Sequence, residues 1–176
     1  MIKHRSYIVA EIPEPVRLQI QALRDSLNTP VRKFPVEITL AGSSGVGPIP
    51  AGTDLSLIER HLEELLPEVA PFRARFSAIR AFPNTAIFYL EPFDRSPFDH
   101  IHQRLRISGI PFSKNPWPYN PHCTLRGGAS MDAEAAAELL ARPFPKEEFS
   151  IDTVSVYQLD DISLDCKLLF QRTLGA

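Results

Sequence analysis

Apolar and polar residues along this chain follow two periods, and prolines mark most of the changes from one to the other. Tyr7 to Ile12 is a β-rich run closed by Pro13 and Pro15. Val16, Ile20, Leu23 and Leu27 then recur at helical spacing, which predicts a helix over Val16 to Leu27. Phe34 to Ala41 reads as a strand, and GSSGVGPIPAG as a loop. Thr53 or Asp54 can cap a helix running to Leu66, with Leu55, Ile58, Leu62 and Leu65 as its apolar stripe. From Phe72 to Phe82 the period returns to two: Phe72, Ala74, Phe76 and Ala78 share one face, while Arg73, Arg75 and Ser77 share the other.

The second half repeats the order. Ala86 to Glu91 is a strand closed by Pro92. Ser96 can cap a helix to about Ser108 in which Phe98, Ile101 and Leu105 are apolar. Pro121 to Leu125 is a strand, and Asp132 opens an alanine-rich helix to about Ala141. Phe149 to Tyr157 alternates again, and Lys167 to Thr173 is an additional closing strand. The pattern strand, helix, strand, helix, strand occurs twice. It predicts one α+β domain over residues 1–176, made of two duplicated lobes, roughly 1–83 and 84–176. Each lobe is expected to carry a small antiparallel-rich sheet with helices outside, and matched strands from the two lobes to line a central groove.

Composition narrows the setting. A chain of 176 residues suits one domain, and 44% hydrophobic with 23% charged residues is ordinary for a soluble protein. No apolar run reaches the roughly 18 residues of a membrane span. The apolar stretch near the N-terminus is short and interrupted by Glu11, so it reads as a strand and not a signal peptide. Cys123 and Cys166 form neither a disulfide framework nor a zinc spacing, which makes a reducing cytoplasm the expected compartment. The histidines and cysteines show no metal-ligand spacing, and no cofactor is implied. A net charge of −2 draws the protein onto neither nucleic acid nor anionic lipid as a whole. A monomer is expected.

The sharpest feature is the pair PVEITLAG (35–42) and NPHCTLRGG (120–128). With Thr39 set on Thr124 and Leu40 on Leu125, Glu37 falls on His122, half a chain away. Alternation puts Glu37 with Thr39, and His122 with Thr124, on one face of each strand. Ile38, Leu40, Cys123 and Leu125 point the other way, into a core. Taken singly, the two threonines are ordinary strand residues; their pairing is what promotes them.

This arrangement resembles the 2H phosphoesterase superfamily, which includes 2′-5′ RNA ligase-like and cyclic phosphodiesterase-like proteins. That family carries two copies of a His-x-Thr/Ser-hydrophobic motif on paired inner strands of a two-lobed fold. The resemblance covers nearly the whole chain. His122, Thr124 and Leu125, with Pro121 before them, match the second motif. Thr39 and Leu40 match the first, but Glu37 stands where its histidine should be. The resemblance implies a small ligand, a nucleotide or an RNA end bearing a cyclic or 2′-5′ phosphodiester. His122 and Glu37 would be the catalytic positions.

Opening such a diester needs one group to take a proton and another to give one, work that suits two imidazoles near neutral pH. Thr39 and Thr124 would donate to the nonbridging phosphate oxygens. An unperturbed carboxylate is a poor base at pH 7. Glu37 would also repel a phosphate about 5 Å away by roughly 3 kcal/mol at an effective dielectric of about 20. Arg126, two residues beyond Thr124, offers a compensating cation or simply ends a strand in solvent. The loop SKNPWPYNP leads into His122 and supplies Lys114, Trp117 and Tyr119, a cation with aromatics that can stack a base or ring beside the phosphate, unless Trp117 packs as a lid over the lobe. Arg75 can open onto the same groove; Arg32 and Lys33 form a cationic rim or are solvated. His61, His100 and His102 are expected at solvated or rim positions, and His4 in the N-terminal tail.

Three functions fit these residues. The first is a phosphodiesterase with weakened or altered activity. The second is a nucleotide- or phosphate-binding module without turnover. The third is an altered enzyme whose ligand presents a cationic group, not a phosphate, to Glu37.

Overall fold

A computed structural model describes all 176 residues. Four α-helices form where the apolar stripes predict them. α1 (Val16–Ser26) buries Val16, Ile20 and, at the next position of that stripe, Arg24. α2 (Leu55–Leu65) buries Ile58, Leu62 and Leu65 and is capped by Asp54, whose side chain accepts from the Ser56 amide at 3.1 Å. α3 (Ser96–Arg106) buries Phe98, Ile101, His102 and Leu105. Ser96 does not cap it; Arg95 holds the cap position and Ser96 begins the helix. α4 (Ala133–Leu140) is capped by Asp132, which accepts from Ala135 at 2.8 Å. Two short 3₁₀ turns, Pro30–Lys33 and Leu66–Glu68, lie where no periodicity marks them.

Nine strands form three antiparallel sheets. β1 (Ser6–Glu11), β2 (Glu37–Ala41), β8 (Thr153–Leu159) and β9 (Cys166–Thr173) make one, in the order β2-β1-β8-β9. β4 (Phe76–Ala81), β5 (Phe88–Pro92) and β6 (Cys123–Arg126) make a second, in the order β4-β5-β6. β3 (Phe72–Ala74) and β7 (Phe149–Ile151) pair with each other. The two long strands expected over 72–82 and 149–157 are therefore each broken in two. The reason is pairing: β3 and β7 bond to one another, while β4 and β8 continue into different sheets.

Sheet membership crosses the division drawn at residue 83. β4, from the first half of the chain, pairs with β5, and β8 and β9, from the second half, continue the sheet of β1. The motif strands occupy matching places. β2 is the edge beyond β1, and β6 is the edge beyond β5. Val9 faces Thr39 and Ala10 faces Ile38; Tyr89 faces Thr124 and Leu90 faces Cys123. A register shift follows in both sheets, between Ile8 and Val9 and between Phe88 and Tyr89, so that Leu40 and Leu125 are each the extra residue of a β-bulge. One continuous apolar core runs through all three sheets and all four helices. No helix is long and apolar enough to cross a membrane.

Candidate active site

β2 and β6 lie against each other, which brings the two motif segments side by side. Beneath them is Arg24, only 1% exposed. Its Nε donates to the Thr124 carbonyl at 2.9 Å, and one terminal nitrogen donates to the carbonyls of Phe34 and Pro35 at 2.9 and 3.0 Å. The other terminal nitrogen faces the Cys123 sulfur at 3.8 Å. The Cys123 sulfur also faces the Glu37 backbone amide. No hydrophobicity pattern proposes Arg24, yet its place is signalled: it continues the Val16, Ile20 row one turn further on.

Glu37, a half-buried residue, opens β2 directly across from Glu11 of β1. Thr39, two residues on and on the same face, donates its hydroxyl to the carboxyl, 3.1 Å from each oxygen. Burial pushes the Glu37 carboxyl up to about 7, against the opposing pull of Arg24 and the Thr39 hydrogen bond; Glu11 adds a smaller push upward. The carboxyl is thus not the ordinary one assumed from sequence. It changes charge near neutral pH. The Thr39 hydroxyl is engaged by Glu37, whereas the Thr124 hydroxyl has no protein partner.

His122 immediately precedes β6 and is 7% exposed. Its Nδ1 lies 2.6 Å from the Asn120 carbonyl oxygen. A carbonyl can only accept, so Nδ1 carries the proton and Nε2 keeps its lone pair. Phe82 and Tyr89 approach the imidazole edge-on, with centroids at 5.1 and 5.3 Å. Burial lowers its pKa and outweighs the hydrogen bond to Asn120, so the ring is neutral at pH 7.

The remaining sequence candidates fall into different settings. Tyr119, expected at the rim as a stacking aromatic, is stacked inside on His102, with ring centroids 3.8 Å apart and planes 4° from parallel. Its hydroxyl donates to the Thr39 carbonyl at 3.2 Å, and its pKa is raised by burial. His102, expected near solvent, is buried instead, because the position after Ile101 also turns inward on α3; its Nδ1 donates to the Leu40 carbonyl at 2.7 Å. Arg126 spends two nitrogens on the carbonyls of Ala86 and Ala129, both at 3.0 Å, with the bulge at Leu125 between it and Thr124. Arg75 lies between β3 and β4 with its guanidinium 4.0 Å above the Phe93 ring. Trp117 and Lys114 are exposed on the loop before His122. That loop is tied down by Asn115, which donates to the Gly42 carbonyl, and by Ser44, which accepts from the Asn120 amide.

Two hollows adjoin the motif segments. A cleft of about 470 Å³ lies on the Glu37 side, lined by Phe34, Pro35 and Val36 together with Glu11, Tyr157 and Gln171. A smaller one of about 290 Å³ lies on the His122 side, bounded by Phe93, Arg95, Asn120 and Pro121. Neither encloses the His122 imidazole. They flank the motif strands.

Solved structures share this fold across their full length. Escherichia coli LigT in complex with 3′-AMP aligns with a TM-score of 0.63 at 16% identity, over 98% of this chain and 99% of that one. The LigT complex with ATP gives 0.64 at 15% identity, over 99% of each chain. TT0787 of Thermus thermophilus gives 0.68 at 18% identity, over 98% of each. No curated protein matches the sequence. The family model of the 2′-5′ RNA ligase superfamily matches residues 12–162, which hold both motif strands and all four α-helices, and on that match the chain belongs to the 2′-5′ RNA ligase superfamily.

Proposed function

We propose that this protein binds a nucleotide or RNA end through a cyclic or 2′-5′ phosphodiester and opens that diester slowly, using His122 and Glu37 as a mixed imidazole–carboxyl pair. Glu37 then occupies the first motif's histidine position. The common register and the common bulge of β2 and β6 support the equivalence, and with it two pseudo-symmetric lobes around one groove. The observation that carries the chemistry is the burial of Glu37, which brings its carboxyl to about 7. A carboxylic acid in that range gives up a proton near neutral pH and takes it back, which is the property the missing imidazole supplied. It also relieves the charge problem: a protonated Glu37 does not repel the phosphate, and it accepts from the Thr39 hydroxyl less strongly than the carboxylate does. His122, neutral with Nε2 open, is the base that accepts the proton of the attacking water. Glu37 gives its proton to the leaving oxygen, and Thr124 donates to a nonbridging oxygen.

LigT has been solved with 3′-AMP, phosphate, NADP⁺ and ATP, which supports a nucleotide-sized ligand here. Trp117 and Lys114 on the loop before His122, and Arg75 stacked on Phe93, are the groups we assign to the part of the ligand beyond the phosphate.

The test is hydrolysis of 2′,3′-cyclic nucleotides by the wild type, Glu37→His, Glu37→Gln and His122→Ala. Loss of one general acid–base group costs about 10²- to 10⁴-fold. His122→Ala and Glu37→Gln should each fall by that order, and Glu37→His should raise turnover above the wild type. Calorimetry with a nucleoside monophosphate should show tighter binding by Glu37→Gln above pH 7, where the wild-type carboxyl is charged. If neither turnover nor phosphate affinity responds to any of the three substitutions, the groove is not a phosphate site.

A further inference from the structure

Arg24 is the largest fully buried side chain of the protein, and the only charged one in that group. A guanidinium in such a place normally has a carboxylate against it, because an uncompensated buried charge is expensive. Arg24 has no carboxylate within ion-pair distance. Its partners are backbone carbonyls, and they come from two separate segments: Phe34 and Pro35, which lead into Glu37, and Thr124, which lies two residues beyond His122. The Cys123 sulfur completes the set. One rigid planar fork therefore holds both motif segments at once, a geometry that the flexible point charge of a lysine could not reproduce. Carbonyl dipoles satisfy its N–H groups without cancelling its charge. The anionic group that its field favours most directly is Glu37, for which Arg24 is the foremost influence opposing burial.

We propose that Arg24 is a positioning residue that fixes the spacing of β2 and β6 and supplies Glu37 with a buried positive counter-field, fitting a carboxyl into a site built around proton transfer. This rests on the reading of Glu37 and His122 as one site, and it divides into two separable roles. The fork sets the geometry, and the charge sets the acidity of Glu37. A buried arginine that merely fills a core would do neither.

The experiment is an NMR pH titration of the Glu37 carboxyl carbon in wild type, Arg24→Lys and Arg24→Met, with amide spectra recorded alongside. An opposite charge nearby lowers a carboxyl pKa by about 1–3 units, so Arg24→Met should raise the Glu37 midpoint by about 1 unit or more. Arg24→Lys should hold the midpoint close to the wild-type value while shifting the amide resonances of His122, Cys123 and Thr124, because it retains charge and loses the fork. A folded Arg24→Met protein with an unchanged Glu37 midpoint overturns the electrostatic role. If Arg24→Met does not fold, Arg24→Lys decides alone: unperturbed amides from His122 to Thr124 overturn the positioning role, and a midpoint that moves as far as a unit overturns the charge role. None of these readouts needs substrate. Failure of the phosphodiester reading would appear as absent nucleotide binding by wild type and would leave the titration result intact.

Discussion

Glu37 joins three circumstances that a single residue rarely combines: a strand-edge position, a hydroxyl aimed at its carboxyl, and another glutamate directly across the ladder. Its proton is therefore held more tightly in the native protein than in the unfolded chain, where the ordinary value is 4.5. The native state binds more protons between about 4.5 and 7, so stability contributed by this group is highest below that window and is lost as pH rises through it. At 1.36 kcal/mol per unit the loss amounts to at most about 3 kcal/mol. Glu37→Gln, which cannot ionise, should match the wild type near pH 4.5 and exceed it by up to about 3 kcal/mol at pH 8. Urea unfolding at the two pH values measures this, and equal stability at pH 8 would mean that the carboxyl ionises there without penalty. Sequence alone singles out Glu37, Thr39, His122 and Thr124 through the paired segments PVEITLAG and NPHCTLRGG. It could not give the acidity of Glu37, which depends on burial by residues far away in the chain. Nor could it show that Tyr119 faces inward, since an aromatic in a proline-rich loop reads the same whether it stacks on a ligand or on His102.

At the scale of elements, the motif strand β2 is braced from the outside by a stack absent from any local pattern. His102 of α3 donates to the Leu40 carbonyl, Tyr119 donates to the Thr39 carbonyl, and the two rings lie flat on each other. Gly45 permits that stack. Its φ is +70°, and a Cβ there would fall well inside contact distance of both the His102 ring and Tyr119, while its amide donates to the Trp117 carbonyl at 2.8 Å. Gly45→Ala should therefore combine backbone strain with overpacking, each worth about 1–3 kcal/mol. Gly52→Ala is the matched control: its φ is +86°, but nothing lies within 4 Å of the added carbon. Gly45→Ala should lower Tm by roughly 5 °C or more and clearly exceed the effect of Gly52→Ala. Equal shifts would show that only the backbone conformation matters and that the stack has room to spare. Helix positions were legible from the stripes to within a residue or two, because periodicity reports which face is buried. The breaks at Arg75 and Asp152 were not, because a strand that changes partners keeps its alternation.

At the scale of the molecule, the arrangement of strands couples the two halves of the chain. β1 forms its ladder with β2 from its own half on one side and with β8 from the other half on the other, Ser6 to Ala10 against Gln158 to Val154. β5 is likewise flanked by β6 from its own half and by β4 from the first half. The side chains follow the backbone: Val154 and Val156 are wholly buried with β1, Phe76 and Ile79 are buried with β5, and Phe76 meets Phe149 with ring centroids 5.3 Å apart. A fragment of residues 1–83 would keep β1 and β2 but lose β8 and β9, leaving a two-stranded ribbon, which is marginal at best in water. A fragment of 84–176 would lose β4 and keep β8 and β9 with no β1 to pair. Neither fragment should fold alone, as judged by circular dichroism and amide dispersion, and an equimolar mixture should recover native spectra. If either fragment alone gave a dispersed, cooperatively unfolding spectrum, its sheet would be self-sufficient and the exchange of strands between halves would not be what holds β2 against β6.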